Sequence, residues 1–222
     1  MRTSWLRHAG TLGLFPLLDA FGVSHCLCSA RRYLHSDLRG DTVTTNIKPQ
    51  TPAGEAIAYR GKPLPNVLED LVILDVLDLD SDERLWVPQA PDVAFRPLLL
   101  SVSHGYFVNL LRVRKTGVLS RHRHAGPVHA TTLKGRWHYL EHSWWAEEGS
   151  YAFEPPGDIH TLVVPEGVDE MVTMFHVTGA YIYVDPDGIP VGVEDVFSKL
   201  EAAREHYESV GLGADFANQF IR

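Results

Sequence analysis

Between residues 84 and 184 the chain alternates between short apolar runs and clusters of turn residues. The runs, rich in β-branched and aromatic side chains, predict strands at 84–87, 94–102, 106–113, 128–133, 136–140, 150–153, 161–164, 171–177 and 180–184. Turn signals such as Lys134-Gly135 and Pro155-Pro156-Gly157 separate them. Short strands at this regular spacing are typical of an all-β sandwich or barrel.

The end of the chain follows a helical period instead. Val196, Leu200, Ala203 and Tyr207 recur at helical spacing within residues 194–210, and Gly211 is a natural stop. This pattern predicts a C-terminal amphipathic helix whose apolar stripe packs on the barrel, with a dimer contact as the alternative. Before the barrel, residues 67–79 fit a short helix followed by a strand, but the pattern is ambiguous.

Composition and charge exclude several classes of protein. Hydrophobic residues make up 45% of the 222-residue chain and charged residues 22%, as in ordinary globular proteins. No stretch reaches the roughly 18 apolar residues of a membrane-spanning helix, so no membrane partner is expected. Residues 1–36 hold four arginines and one acidic residue, whereas the rest holds 16 basic and 27 acidic residues. Because an acidic body repels phosphate backbones, a nucleic-acid partner is not expected either.

Three regions are predicted along the chain. Residues 1–36, arginine-bearing and almost free of acids, are interpreted as a leader or non-core extension. A mitochondrial transit peptide fits this composition; a start codon assigned too far upstream and a secretory signal are the alternatives. Residues 37–65 contain four prolines and are expected to form a linker or arm, and residues 66–222 the folded domain.

Both cysteines, Cys26 and Cys28, lie in the leader, so the body folds without disulfides. Such a body is expected in a reducing compartment. The predicted location is therefore intracellular: cytoplasmic, or mitochondrial if the leader is a transit peptide.

Histidines are concentrated in one part of the body. Of 12 histidines, six lie between residues 122 and 160. On a strand, residues two apart project to the same face, so His122 and His124 can share a metal ion while Arg123 points away. His160 follows the Pro-Pro-Gly turn and is expected to enter the barrel beside them. A bulge at Gly126-Pro127 would be needed for His129 to join this face.

The two histidine blocks resemble the paired motifs of the cupin superfamily. The block from Gly149 to His160 matches the second motif, GxxxxxPxGxxHxxxN, except that Val164 replaces the final asparagine. The first block has four residues rather than five between Gly117 and His122, and Val128 stands at the usual glutamate position. The resemblance implies a jelly-roll barrel, the cupin double-stranded β-helix, with the C-terminal helix appended.

Within the cupins, residues 66–222 are most similar to the 2,4'-dihydroxyacetophenone dioxygenase family. The similarity rests on the segments RHRHAGPVH (121–129), KGRW (134–137), GSYAFEPPGDIHTLV (149–163), YVDPDG (183–188) and the tail from residue 195. It implies a non-haem Fe(II) enzyme that uses O2 to cleave an aryl 2-hydroxy ketone into an aryl carboxylate and formate. The implied iron ligands are His122, His124 and His160.

The chemistry of the residues agrees with this implication. Without a glutamate at position 128, three neutral imidazoles would leave up to three open positions, enough for a chelating hydroxy ketone and O2. Imidazole binds several divalent metals, so Zn, Mn, Ni and Cu remain alternatives to Fe(II). Glu141 is the predicted catalytic base, with Glu154 in reserve.

The aromatic residues Trp137, Tyr139, Trp144, Trp145, Phe153 and Phe175 are candidate walls of an aryl pocket or ordinary core residues. Two other functions stay open: a β-diketone-cleaving cupin dioxygenase and a non-catalytic metal-binding sensor. A small aromatic hydroxy ketone, O2 and a second copy of the chain (as dimer or tetramer) are the expected partners.

Overall fold

The computed structural model describes residues 56–80 and 82–222. The chain divides into two units, Met1–Lys62 and Pro63–Arg222. The predicted leader (1–36) and most of the predicted linker (37–55) lie outside the described residues. Residues 56–62, the described part of the first unit, contain no helix or strand.

The described part of the second unit is built from twelve strands in two antiparallel sheets. The strands are β1 (Val87–Ala90), β2 (Val93–Ser101), β3 (Tyr106–Val113), β4 (Gly117–His124), β5 (Val128–Lys134), β6 (Arg136–Tyr139), β7 (Trp145–Glu147), β8 (Tyr151–Glu154), β9 (Ile159–Val164), β10 (Met171–Thr178), β11 (Ala180–Val184) and β12 (Pro190–Asp195). One sheet has the order β1-β2-β3-β10-β5-β8 and the other β12-β11-β4-β9-β6-β7. The predicted all-β jelly roll is confirmed.

The main core lies between the inner faces of the two sheets. Phe95, Phe107 and Phe175 from the first sheet pack with Trp137 and Leu162 from the second. The one polar atom of the Trp137 ring is satisfied, because Nε1 donates to Thr132 Oγ1 at 3.0 Å. This core holds the two sheets, and so the strands that carry the histidines, in fixed positions.

Residues 67–79 differ from the prediction, since they form neither a helix nor a strand. Ile73, Val76 and Leu79 instead pack on a second apolar cluster that contains Trp86. The Trp86 ring donates through Nε1 to the carbonyl of Leu79 at 3.2 Å. Tertiary packing, rather than a regular backbone period, sets the positions of these apolar residues.

The prediction of a strand at 84–87 also needs correction. Glu83–Leu85 is a 3-10 helix, because the Asp82 carboxylate accepts a hydrogen bond from the backbone of Arg84 and caps this turn. The strand starts only at Val87. Three strands are missing from the predicted set. Strand β4 was assumed only through the pair His122 and His124. Strand β7 has three residues, and β12 begins with Pro190 and contains Gly192.

The C-terminal helix α1 (Val196–Ser209) is confirmed and begins with a capping box between Asp195 and Ser198. Val196, Ala203 and Tyr207 are buried in the main core, so the predicted stripe packs on the barrel. The helix buries one residue that an apolar stripe does not predict, Lys199. Within the described residues, no helix is both long and apolar enough to cross a membrane.

Candidate metal centre

Strands β4 and β9 bring three histidines together on the inner face of one sheet. His122 and His160 are direct partners in the antiparallel register, and His124 lies two residues further along β4. Directly opposed residues share a face, as do residues two apart, so all three rings point into the barrel. One ring nitrogen from each lies within 4.8 Å of the others, and Nε2 of His124 is 3.1 Å from Nε2 of His160.

The turn before β9 explains why His160 reaches this position. Gly157 has a φ of 94°, a conformation that favours glycine, in the Pro-Pro-Gly turn between β8 and β9. Its backbone N–H donates to the carbonyl of His124 at 3.0 Å. The turn that precedes His160 is therefore tied directly to the strand that carries the other two histidines.

Neighbouring side chains hold the rings in place. Ser120 Oγ lies 3.1 Å from Nδ1 of His122, and the ring of Tyr139 stacks on that of His160 at 3.7 Å, with 4° between the planes. Asp158 Oδ2 lies 3.8 Å from Nδ1 of His160 and within 3.0 Å of Nε2 of His142. Contacts of this kind fix the orientation of imidazoles that bind metals.

Burial favours the neutral form of two of the three imidazoles, those of His122 and His160. It lowers the pKa of His160 to about 4, although the carboxylate of Glu154 acts in the opposite direction. Burial, reinforced by His124 and His160, lowers the pKa of His122 well below its usual value. Near pH 7 these two rings therefore keep a free lone pair on one nitrogen, as a metal ligand must.

A buried carboxylate lies beside the three histidines. Glu154, at the end of β8, is 3% exposed, and its Oε2 lies 2.9 Å from Nε2 of His124 and 3.6 Å from Nε2 of His160. Neither of its oxygens has a hydrogen-bond partner of good geometry among the described residues. A buried carboxylate beside two imidazole nitrogens suits a cation, because a charge in the interior is costly unless it is paired.

The group of possible metal ligands consists of the three predicted histidines, but a carboxylate that the motif does not predict lies beside them. Val128 is the residue at the usual glutamate position, but Glu154 is its direct cross-strand partner on β8. The carboxylate comes from the neighbouring strand. In the sequence, the signal for a carboxylate near His160 is that Glu154 comes immediately before the Pro-Pro-Gly turn that leads to His160.

These groups fit a divalent cation. The ligand atoms would be three imidazole nitrogens, with an anionic oxygen beside them. The spacing of 2.9–3.1 Å between Nε2 of His124 and its two neighbours, Oε2 of Glu154 and Nε2 of His160, is short enough for one ion to contact all three atoms. The donor set suits iron, zinc, nickel and copper alike.

Glu141, the predicted base, lies just after β6 at an exposed position. Its carboxylate accepts hydrogen bonds from the backbone N–H and the hydroxyl of Thr161, at 2.7 and 2.8 Å. Partial burial opposes ionisation, but these two bonds outweigh it and lower the pKa of Glu141. His129 lies away from the cluster, with its Nδ1 2.6 Å from the hydroxyl of Tyr151.

A cavity of about 430 Å³ opens onto His122 and His124. Its walls are mostly apolar and include Tyr139 and Phe175, two of the aromatic residues considered for an aryl pocket. The other four do not line it: Trp137 is fully buried in the core, whereas Trp144, Trp145 and Phe153 are 39%, 45% and 55% exposed.

The jelly roll and its inward-facing histidine cluster are those of a cupin. Residues 77–182 match the family model described as the ChrR cupin-like domain. These residues therefore form a cupin-like domain. A search of curated protein sequences gives no match.

Solved structures support the same fold. An RmlC-like cupin protein from Ralstonia eutropha JMP134 is 27% identical, with a TM-score of 0.54 over 57% of this chain and 83% of that one. An acetylacetone dioxygenase from Acinetobacter johnsonii is 18% identical, with a TM-score of 0.53 over 68% of this chain and 99% of that one. At this identity the second similarity shows the fold alone.

Proposed function

We propose that the protein is a cupin dioxygenase that uses O2 to cleave the bond between the carbonyl and hydroxymethyl carbons of an aryl 2-hydroxy ketone. The products are an aryl carboxylate and formate, which together contain all atoms of the ketone and of O2. The observation that carries the proposal is the set of three buried imidazoles and one orphaned carboxylate beside an apolar cavity.

His122, His124 and His160 would hold the metal, and Fe(II) is the proposed ion. When bound, it supplies Lewis acidity toward the carbonyl and hydroxyl oxygens of the substrate and redox chemistry toward O2. We propose that Glu154 accepts the proton that the hydroxyl of the substrate loses, because its Oε2 lies 2.9 Å from Nε2 of His124, beside the proposed metal ligands. We propose Glu154 rather than Glu141 as the base, because Thr161 occupies both oxygens of Glu141.

The cavity supports an aryl substrate. Its volume of about 430 Å³ lies within the range of pockets for drug-sized ligands. Leu119, Leu162 and Phe175 would contact an aromatic ring and exclude water from the reacting carbons.

Cleavage of a β-diketone is the second candidate. Such a substrate presents two oxygens at chelating distance, and the Acinetobacter johnsonii protein of this fold is an acetylacetone dioxygenase. The two candidates differ in what fills the cavity, because acetylacetone carries only methyl groups where a hydroxyacetophenone carries a ring.

The deciding experiment loads the metal-free protein with Fe(II) without air and follows O2 uptake in an oxygen electrode. We expect uptake with 2-hydroxyacetophenones, with benzoate and formate formed in equal amounts. Uptake with β-diketones alone would favour the second candidate. Tight metal binding with no O2 uptake on either class would reject both and favour a metal-binding sensor.

We further propose that the protein forms a dimer or tetramer, which light scattering tests directly. The assignment of residues 1–36 as a leader is likewise a proposal. It is tested by comparing the amino terminus of the protein made in its own cells with Met1.

A further inference from the structure

A second group of possible metal ligands adjoins the first and shares one histidine with it. Its members are His142, Asp158 and His160, and one ligand atom from each lies within 4.8 Å of the others. The proposed reaction uses neither His142 nor Asp158 as a metal ligand or as a base. This second group is therefore a site to which no role has yet been assigned.

The ring of His160 lies between the two groups. On one side its Nε2 is 3.1 Å from Nε2 of His124. On the other side its Nδ1 is 3.8 Å from Oδ2 of Asp158, and that oxygen is 3.0 Å from Nε2 of His142. Because the two nitrogens of an imidazole point away from each other, one ring can bind an ion on each side.

The spacing on the Asp158 side fits a cation. At 3.8 Å the carboxylate oxygen is too far from Nδ1 of His160 for a direct hydrogen bond. Ligand atoms about 2.0–2.2 Å from a tetrahedral ion are about 3.3–3.6 Å apart. The two distances to Oδ2 of Asp158, 3.0 and 3.8 Å, lie on either side of that range, so small side-chain movements bring the atoms to one ion.

Local contacts hold His142 and Asp158 beside β9, the strand that carries His160. The loop after β6 is tied to β9, because the backbone N–H of Leu140 donates to the carbonyl of Thr161 at 3.0 Å. The ring of His142, two residues later, stacks on that of Trp144 at 5.5 Å, with 13° between the planes. Asp158 immediately precedes β9. The three ligand atoms are thus placed by neighbouring backbone segments.

The second group opens to solvent, whereas the first is buried. The side chains of His142 and Asp158 are 30% and 42% exposed, and that of His160 is 1% exposed. Two imidazole nitrogens and one carboxylate oxygen suit zinc, cobalt, nickel or copper, whereas magnesium and calcium prefer oxygen ligands. An ion of the first kind can reach this group from solvent and keep water at its remaining positions.

We propose that His142, Asp158 and Nδ1 of His160 form a second site, which binds a divalent ion of the zinc class, and that His160 bridges this ion to the one at Nε2. A neutral imidazole carries one proton, so binding through both nitrogens releases that proton to water. The second ion binds more weakly than the first, because its site is exposed and the two positive charges repel each other. The inference goes beyond the proposed dioxygenase activity and does not depend on it.

Titration of the metal-free, full-length protein with Zn(II) tests the number of ions. Calorimetry should show two ions per chain, and dialysis against metal-free buffer should remove the second. In His142→Asn and Asp158→Asn one ion should remain, with an unchanged circular dichroism spectrum. His129→Asn and Asp169→Asn, which change a histidine and an exposed carboxylate outside both groups, should keep both ions. One ion in the wild type, or two ions in the folded site variants, would overturn the proposal.

Cu(II) tests whether His160 is shared. A bridging imidazolate couples the unpaired electrons of two Cu(II) ions, so the electron paramagnetic resonance signal of the two-ion protein should integrate to well under two spins per chain. The His129→Asn protein should show the same coupling. Two uncoupled spins in the wild type would overturn the bridge. O2 uptake with hydroxy ketones by a protein that binds only one ion would reject this inference while the proposed function stands.

Discussion

Val128 on β5 lies directly opposite Glu154 on β8 in the antiparallel register. Their side chains share the inner face of the sheet, and both are buried. The cupin motif places a glutamate at position 128 on β5. In this chain a carboxylate reaches the histidines from β8 instead. The site therefore keeps a carboxylate although the motif glutamate is replaced by Val128.

Placing a glutamate at position 128 should therefore destabilise the protein. In Val128→Glu two carboxylates would face each other without water, and like charges at this distance disfavour ionisation of both. We expect the free energy of unfolding of the metal-free variant to fall by about 3 kcal/mol, the typical cost of an uncompensated buried charge. Urea denaturation followed by tryptophan fluorescence measures this loss.

The double variant Val128→Glu, Glu154→Val provides the control. It moves the carboxylate back to the usual motif position and keeps one charge and one valine in the pair. Stability should recover most of the loss, and the metal should still bind at one ion per chain. If the double variant is no more stable than Val128→Glu, the two positions do not exchange as the register implies.

Glu154→Gln tests the assignment of the base. The amide matches the shape of the carboxylate but cannot take a proton from the substrate. We expect kcat to fall by about 10²- to 10⁴-fold, the usual contribution of a general base, while one metal ion per chain is retained. Glu141→Gln is the matched comparison, expected to keep turnover within about tenfold because Thr161 rather than the substrate holds that carboxylate. A larger loss in Glu141→Gln would restore the original assignment of the base.

His124→Ala and His160→Ala should each abolish metal binding without unfolding the barrel. Both rings lie in the cluster of three, and two imidazoles hold a divalent ion much less tightly than three do. Metal analysis after dialysis should give less than about 0.1 ion per chain, with an unchanged circular dichroism spectrum. His129→Ala, a change away from the cluster, should keep the metal. Stoichiometric metal in either cluster variant would contradict the assignment of the centre.

The sequence was sufficient for the parts of the structure that depend on local pattern. Period-two alternation predicted most strands and placed His122 and His124 on one face. Helical spacing and Gly211 predicted α1, whose C-terminal residue is Ser209. Each of these follows from residues close together in the chain, where side-chain direction is set by backbone geometry.

The remaining features depend on contacts between residues far apart in the chain. Gln89 and Lys199 are 110 positions apart and meet only because α1 packs against β1. In the sequence Lys199 has the pattern of a solvent-exposed helical residue, and only the packed barrel shows that it is buried beside Glu194. Glu154 reaches the histidines because it lies opposite Val128 in the register of β5 and β8. The sequence shows that the motif glutamate is missing at position 128, but it does not show which strand supplies a carboxylate instead.

The stability of the metal-free protein should depend on pH through the buried histidines. His160 titrates at about 4 in the folded chain, against 6.5 for an ordinary histidine, because burial disfavours its charged form. Between these values the unfolded chain binds more protons than the folded one, so stability rises with pH. The contribution is complete above pH 6.5 and is lost as the pH falls toward 4. Between pH 7 and pH 5 this single group should cost about 2 kcal/mol of unfolding free energy.

Urea denaturation at pH 7 and pH 5 measures this dependence. His160→Gln, which cannot titrate, should lose about 2 kcal/mol less than wild type over the same interval. His129→Gln should show the full loss, because His122 and His160 remain buried in that variant. Bound metal should oppose the loss at a given metal concentration, since protons and the ion compete for the same nitrogens. Equal pH dependence in wild type and His160→Gln would mean that His160 is accessible to protons in the folded chain.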